Sequence, residues 1–451
     1  MIIKKDLSQQ LPKTLLNAFS QLKIGHHLRK AGIIKGVGYS CLELFQLVFL
    51  LVFQHKNWFR LLESEQRTDL PGKDTIYRFL NDPRYNWRAF LHSLSGTFIK
   101  TLGSLTSAKR VRVFIIDDSV YSRSRSRALE LLARVHDHTT GKFVKGFQML
   151  TLGWSDGFTF VPVGFTLLSS RNEANRLQNI REDIDKRTNG YKRRKEALQS
   201  KPAAVLTLLD HALQMGIQAD YVLMDTWFTH SPLIQAISGR GLQVIGMVKQ
   251  LKQRYLFGQQ MLTLGELFTL CRTQRTKHGI LGSIVVRLAC GLQVKLVFIQ
   301  NRNKRSEWLT LLSTDCSLDA AEIVRIYGKR WQIETFFKFT KSYLNLAKEF
   351  QGRSYDMLIS HTTIVFTRYI LLAWEARQKA DSKTLGGLFY LLCDEVKDID
   401  VKTALVQLWA FMQRHLENSS QQEGLLSQLQ QWIAALPSYI KSCLAISSCE
   451  S

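Results

Sequence analysis

Cysteine pairs and long apolar runs are absent from this chain. Its 451 residues include only seven cysteines, which are scattered and form no Cys-x-x-Cys pair. This pattern argues against a zinc ribbon and against a disulfide framework. The longest apolar stretch, residues 41–53, is too short for a bilayer and contains Glu43 and Gln46. Because the N-terminus also lacks the apolar core of a secretory signal, we expect a cytoplasmic protein.

Acidic residues are few relative to basic ones. The chain has 61 Lys and Arg against 37 Asp and Glu, a formal net charge of +24. Only 34 residues are Pro or Gly and 45% are hydrophobic, which excludes collagen-like and wholly disordered chains. There is no Walker loop, no dinucleotide-binding glycine motif and no Gly-x-Ser-x-Gly elbow. The charge balance therefore predicts a polyanionic partner, with nucleic acid the foremost candidate.

The pattern along the chain predicts three regions. Residues 1–105 show helical apolar spacing and are predicted to be an N-terminal DNA-binding region. Within it, a short helix at Thr75–Asn81, with Asp74 as its N-cap, is either a DNA-recognition helix or an ordinary surface helix. Residues 106–346 are predicted to be an α/β domain that carries the candidate catalytic residues named below, with a β-rich insertion at about 249–314. Residues 347–451 are predicted to be a C-terminal helical region and a candidate dimerisation element.

The fold class follows from the order of the predicted elements. A strand at Val111–Ile116 ends in Asp117 and Asp118, and the strand Tyr221–Met224 ends at Asp225. The full order is strand, strand, strand, helix, strand, helix, strand, over residues 111–116, 143–154, 158–168, 203–215, 221–224, 232–238 and 242–248. This α/β order is typical of ribonuclease-H-like nuclease domains.

A charged stripe is predicted on one long helix near residues 317–346, with Ser317 as its N-cap. At about 100° per residue, four side chains fall within roughly a 60° arc of the helix: Tyr327, Arg330, Glu334 and Lys341. Lys338 lies on the same stripe. One interpretation is a solvated face on which Glu334 makes ordinary spaced ion pairs. The other interpretation is that Glu334 is a third carboxylate, which lies close to the acids at the strand ends. Carboxylates at buried strand ends are costly unless they are paired or bind a metal, and oxygen ligands favour Mg²⁺ or Mn²⁺ over Zn²⁺.

The segment Tyr327-x2-Arg330-x3-Glu334-x6-Lys341 resembles the signature of DDE transposases of bacterial insertion sequences, in the large family numbered four. The Asp-Asp-Ser and Asp-Thr-Trp-Phe segments precede it in the expected order, and the resemblance covers about residues 111–346. It implies a ribonuclease-H-like core interrupted by a β insertion, which fits the 109-residue interval from Asp225 to Glu334. It also implies that Asp225 and Glu334 bind catalytic metal together with either Asp117 or Asp118. Alignment of the strand leaves both of these acids open.

The resemblance further implies that Tyr327, Arg330 and Lys341 contact phosphates of the transposon end. Two basic groups could follow a DNA backbone or simply be solvated surface: Arg123 and Arg125 among serines, and Lys192, Arg193 and Arg194 in a basic stretch. His136-Asp137-His138 has a metal-ligand spacing, but we interpret it as a solvated histidine pair. Trp227 and Trp331 could stack on an unpaired base, although core packing is the simpler interpretation.

The expected function is that of a DNA transposase. It would bind terminal inverted repeats, hydrolyse the phosphodiester at each end, and use the freed 3′ hydroxyl to attack target DNA. The resemblance further implies that it acts as a synaptic dimer. Some family members form a hairpin intermediate. Two alternatives remain: a metal-dependent DNA nuclease without strand transfer, and a catalytically silent DNA-binding regulator derived from a transposase.

Overall fold

The computed structural model describes residues 11–63, 70–105, 107, 110–138, 140–250, 253–272, 279–304, 306–378 and 383–398, with six isolated positions between 408 and 435. The chain forms two compact units. The first comprises Met1–Asp82, Tyr343–Gln351 and Ser360–Ser451, and the second comprises Pro83–Ser342 and Gly352–Ile359. Their boundary after Asp82 differs from the predicted one at residue 105. Most of the predicted C-terminal region after residue 398 lies outside the described residues.

Helices make up the first unit where it is described: α1 (Lys13–Gln21), α2 (Ile24–Lys30), α3 (Cys41–Leu50), α4 (Trp58–Glu63) and α5 (Lys73–Asn81). Ser40 begins α3 with a capping box, in which its hydroxyl accepts from the Glu43 amide and the Glu43 carboxylate accepts from the Ser40 amide. Helix α5 is the predicted helix at residues 75–81. Its N-cap is Gly72 instead of Asp74, which lies in the first turn.

One mixed sheet dominates the second unit. Its eleven strands in the described residues are β1 (Val113–Ser122), β2 (Ala133–Asp137), β3 (Lys142–Ser155), β4 (Phe160–Leu168), β5 (Tyr221–Met224), β6 (Gln243–Val248), β7 (Tyr255–Phe257), β8 (Gln260–Leu262), β9 (Ile280–Arg287), β10 (Gln293–Gln300) and β11 (Trp308–Ser313). The path of neighbours is β3-β1-β5-β6-β11-β10-β9-β7-β8, and both β2 and β4 pair with the other edge of β3.

The topology confirms the predicted ribonuclease-H-like α/β core. Strands β1, β3 and β4 form an antiparallel meander, and β5 and β6 add to β1 in parallel. Val113–Ile116 and all of β5 are buried, as expected for strands covered on both faces. The strand-rich segment predicted at 249–314 supplies β7–β11, which continue the sheet beyond β6. Strand β2 was not predicted, because its five residues, Ala133–Asp137, include only two apolar side chains.

Further helices are α6 (Trp87–Ser104), α7 (Asn189–Ala197), α8 (Lys201–Gln214), α9 (Ser231–Ser238), α10 (Leu264–Cys271), α11 (Ala320–Gly328), α12 (Trp331–Ser342) and α13 (Tyr355–Gln378), which begins in the second unit and continues in the first. Residues 385–398 are also helical. Helix α6 packs on β4, where the Ser95 hydroxyl donates to the Pro162 carbonyl at 2.8 Å. Helix α12 packs on β1 and β4, with the Phe336 and Phe160 rings 5.0 Å apart between centroids.

The single helix predicted near 317–346 is wrong in detail. It is two helices, because α11 ends at Gly328 and α12 begins at Trp331. The N-cap of α11 is Asp319, whose side chain accepts from the Glu322 amide, instead of Ser317. Glycine lowers helix propensity by about 1 kcal/mol relative to alanine, which favours a break here. Tyr327 and Glu334 therefore do not share one continuous helical stripe.

Among the described residues, one helix is long and apolar enough to cross a membrane. This helix, α13, is wholly buried over its apolar window. Length and composition are the only grounds for the match, and the buried core helix of a soluble protein meets the same criteria.

Candidate active site

Asp117 and Asp225 lie where the parallel pairing of β1 and β5 ends. That pairing stops with Ile116 opposite Met224, and the two aspartates are the next residues. The prediction that strand β1 ends at these acids is wrong. The strand continues to Ser122 in antiparallel pairing with β3. The carboxyl ends of parallel strands are a common location for ligand sites in α/β sheets. The fold therefore brings together two acids that are 108 residues apart in the chain.

Asp117 is a partly buried carboxyl, with a side chain 14% exposed, close to other charges. Its Oδ1 accepts from the Asp118 amide at 2.8 Å, and its Oδ2 lies 3.3 Å from Arg330 Nη1. Burial, followed by the neighbouring Asp225 carboxylate, raises the pKa of Asp117 to about 7, although Arg330 opposes the rise. A poorly solvated carboxyl beside a second carboxylate is a costly arrangement. A cation placed between Asp117 and Asp225 would relieve that cost.

Asp225 is fixed by the turn that it begins. Its Oδ1 accepts from the Trp227 amide at 2.9 Å and from the Phe228 amide at 3.3 Å. Its carbonyl accepts from the Thr229 hydroxyl at 2.6 Å. Aspartate side chains commonly stabilise turns in this way. One carboxylate oxygen is thus used to orient Asp225.

Arg330 joins Asp117 to Glu334. Its Nη2 lies 2.5 Å from Glu334 Oε1, four residues further along the chain, while Nη1 faces Asp117. The guanidinium also lies over the Tyr327 ring, 5.8 Å from the centroid. Burial raises the pKa of Tyr327 to about 12, and the Asp225 and Asp117 carboxylates contribute to the rise. Five of the predicted site residues therefore lie near one another, as the sequence predicted: Asp117, Asp225, Tyr327, Arg330 and Glu334. The continuous helix on which the prediction for the last three rested is absent.

The structure separates Asp117 from Asp118. Successive residues of a strand point to opposite faces of the sheet. Asp117 faces Arg330, whereas the Asp118 carboxylate forms a 2.9 Å ion pair with Lys201 Nζ at the start of α8. The pairing of Lys201 with Asp118 was not predicted, because no local pattern links residues 83 positions apart.

Two lysines of α12 differ in their surroundings. Lys341 Nζ donates to the Ser119 hydroxyl at 2.5 Å, which brings it to the strand that carries Asp117. Burial lowers the pKa of Lys341. Lys338 is exposed. Lys341 therefore borders the acidic site, and Lys338 is open to a larger partner.

The predicted basic groups divide between surface and interior. Arg125 and Lys192 are exposed, whereas Arg123 is buried and its guanidinium lies 5.3 Å from the Tyr121 ring centroid. Arg193 and Arg194 are also buried. The DNA-backbone contact predicted for these last two residues does not fit their positions, because buried guanidinium groups cannot reach a duplex.

Arg194 has a structural role instead. Its Nε and Nη2 each donate to the Glu130 carboxylate at 2.6 Å, and Nη1 and Nη2 donate to the Asp356 carboxylate at 2.9 and 2.7 Å. Arg193 Nη2 donates to the Phe165 carbonyl at 3.1 Å. The basic run of α7 thus supplies internal ion pairs as well as solvated charge.

The remaining predicted candidates lie at the surface. His136 and His138 are neighbours on and just after β2, with their Nδ1 atoms 3.3 Å apart. Trp227 and Trp331 are 40% and 63% exposed, so neither is packed in a core. Exposure leaves the Trp331 indole available to a ligand, whereas Lys201 Nζ lies over the Trp227 ring, 4.4 Å from its centroid.

The acids of this site offer oxygen ligands to a divalent cation. Within the described parts of the chain, no three His, Cys, Asp or Glu side chains are already grouped to hold a metal ion. Arg330 lies between Asp117 and Glu334, which accounts for their separation. Asp117 and Asp225 nevertheless supply carboxylate oxygens, the donors that Mg²⁺ and Mn²⁺ prefer, and their mutual repulsion favours a cation. The donor chemistry fits such an ion if Glu334 leaves Arg330.

Two known protein families match parts of this chain. Residues 50–263 match the family described as DDE superfamily endonuclease, and residues 197–369 match the Transposase DDE domain family. The first match contains Asp117 and Asp225, and the second contains Asp225 and Glu334. No curated protein matches the chain. The two family matches support a DDE-type transposase or endonuclease.

Proposed function

We propose that this protein is the transposase of an insertion sequence, of the family numbered four, and that it cuts and joins DNA at terminal inverted repeats. The observation that carries the proposal is the meeting of Asp117, Asp225, Arg330 and Glu334 beside the end of the β1–β5 pairing. The family matches and the surplus of basic residues support a DNA substrate.

Asp117, Asp225 and Glu334 are the proposed metal-binding residues. A divalent cation there would activate the attacking hydroxyl group and neutralise charge on the phosphate. Asp118 is left out of this set because Lys201 holds its carboxylate. Arg330 would exchange its carboxylate partners for a DNA phosphate, to which its planar guanidinium can donate two hydrogen bonds. Tyr327 supports Arg330 from below its guanidinium, and Lys341 supplies a second cation near the same strand.

The proposed reaction has two displacements at phosphorus. In the first, water forms a new P–O bond at the element's end, and the P–O3′ bond breaks to leave a free 3′ hydroxyl. In the second, that hydroxyl attacks a target phosphate and displaces the next 3′ oxygen. The exposed Lys338, Arg125 and Lys192 are the proposed backbone contacts. We further propose a synaptic homodimer that acts on DNA in the cytoplasm.

The test uses the full chain and a labelled duplex that carries the element's own ends. Mg²⁺- or Mn²⁺-dependent nicking, followed by joining of the label to a plasmid, is expected. Cleavage without joining would replace the proposal by a nuclease. Binding without cleavage, unchanged by Asp225→Ala, would replace it by a silent regulator.

A further inference from the structure

A chain of contacts through Lys201 of α8 connects Asp118 within β1 to the turn that follows β5. Lys201 Nζ lies 2.9 Å from Asp118 Oδ2 and 4.4 Å from the centroid of the Trp227 ring. The lysine is therefore held between a carboxylate of β1 and an indole of the turn after β5. A cation over an indole face within about 6 Å is attracted by the ring.

This chain begins and ends at the proposed metal-binding residues. Asp118 follows Asp117 directly, and the Asp118 amide donates to the Asp117 carboxylate at 2.8 Å. At the other end, the Trp227 amide donates to the Asp225 carboxylate at 2.9 Å. A path of adjacent contacts thus runs from Asp117 to Asp225 without passing through Arg330 or Glu334.

The surroundings of Lys201 suit a positioning role. The side chains of Lys201 and Asp118 are only 16% and 9% exposed, so solvent screens their ion pair weakly. Trp227 also packs edge-to-face on the fully buried Phe228, with centroids 4.9 Å apart. The turn that carries Asp225 is therefore anchored by the buried Phe228 ring and contacted by the Lys201 cation through Trp227.

We propose that Lys201 is a positioning residue that sets the spacing of Asp117 and Asp225, and hence their affinity for a divalent cation. The inference rests on the proposed function. It assigns Asp118 to Lys201 and not to the metal. It also gives Trp227 a role in orienting Asp225.

The test measures Mn²⁺ binding to the full-length, DNA-free protein by electron paramagnetic resonance, and then the Mg²⁺ dependence of DNA cleavage. Residues that orient metal ligands typically contribute about 10- to 100-fold to metal affinity. We expect Lys201→Met to weaken Mn²⁺ binding about tenfold or more and to shift the Mg²⁺ half-saturation concentration by a similar factor. DNA affinity measured without metal should stay within about twofold, since Lys201 is held by Asp118.

A second ion pair of α8 provides a matched control. Arg240 forms a partly buried ion pair with Asp210 of α8, with Nε 2.6 Å from Oδ1. Arg240→Met also breaks an ion pair of α8 but should leave Mn²⁺ affinity unchanged. Asp118→Asn should reproduce the effect of Lys201→Met. The double variant should lose no more than either single variant, because both changes break one interaction.

Two further variants cover a failure of Lys201→Met to fold. Lys201→Arg keeps the charge and should restore most of the affinity, while Trp227→Leu removes the ring contact and should weaken binding. Wild-type Mn²⁺ affinity in a folded Lys201→Met, Asp118→Asn or Trp227→Leu protein would overturn the inference. If Asp117→Asn and Asp225→Asn also bind Mn²⁺ normally, the proposed metal site itself fails, which is a distinguishable result.

Discussion

Asp117→Asn and Asp118→Asn are expected to change stability in opposite directions. Both replace a carboxylate by an amide at adjacent positions of one strand. Asp117 is beside Asp225, whereas Asp118 is paired with Lys201. The first substitution removes a repulsion and the second removes an attraction. Neighbouring positions with the same chemistry therefore control for each other.

The magnitude for Asp117 follows from its pKa. A rise from 3.8 to about 7, at about 1.4 kcal/mol for each pH unit, corresponds to about 4 kcal/mol of destabilisation at pH 8 without metal. Asparagine removes this cost but weakens the contact with Arg330, so we expect a net gain of about 2 kcal/mol. Asp118→Asn leaves a poorly solvated ammonium and should cost about 2 kcal/mol.

The pH dependence has a defined sign. The folded protein holds a proton on Asp117 up to about pH 7, whereas the unfolded chain releases it near 3.8. The folded state therefore binds more protons in this window, and the contribution of Asp117 to stability falls as the pH rises through it. The difference between Asp117→Asn and wild type should accordingly shrink towards pH 4.

The assay is urea denaturation of the metal-free full-length protein in EDTA at pH 8 and pH 5, followed by circular dichroism. The two variants should move the unfolding midpoint to opposite sides of the wild-type value at pH 8. Equal destabilisation by both substitutions would refute the separate environments assigned to these two acids.

Other substitutions have equally specific outcomes. Arg194→Met should lower the free energy of unfolding by at least about 3 kcal/mol, since it removes the cation that pairs with the buried Glu130 and Asp356 carboxylates. Lys192→Ala, its exposed neighbour, should keep stability but weaken DNA binding and reduce the salt slope by about one; the converse pattern would restore a DNA contact for Arg194. Lys341→Met should lower single-turnover cleavage by about 100-fold with little loss of stability, and unchanged cleavage would remove Lys341 from the site.

The sequence was sufficient for the strands that carry the acids. Val113–Ile116 and Tyr221–Met224 are apolar runs directly followed by aspartates, and such runs predict buried strands independently of distant contacts. Adjacent parallel strands then place the residues that follow them at one edge. The position of Asp225 next to Asp117 could be predicted for this reason.

The sequence was insufficient where distant partners decide the outcome. Arg194 lies in a basic run that resembles solvated surface, and its partners Glu130 and Asp356 are 64 and 162 residues away. Asp117 and Asp118 could not be distinguished from the sequence, because their partners are distant: Lys201, which pairs with Asp118, is 83 residues away, and Arg330, which pairs with Asp117, is 213 residues away. The break between α11 and α12 follows Gly328, a local signal. The regular spacing of the charged residues favoured one continuous helix instead.

The most direct test of the central claim is metal-dependent cleavage of a duplex carrying the element's own ends, with wild type compared with Asp225→Asn and Asp118→Asn at saturating Mg²⁺. The account predicts that Asp225→Asn abolishes cleavage while keeping DNA affinity, and that Asp118→Asn still cuts once Mg²⁺ is saturating. Cleavage by Asp225→Asn at the wild-type rate would contradict it.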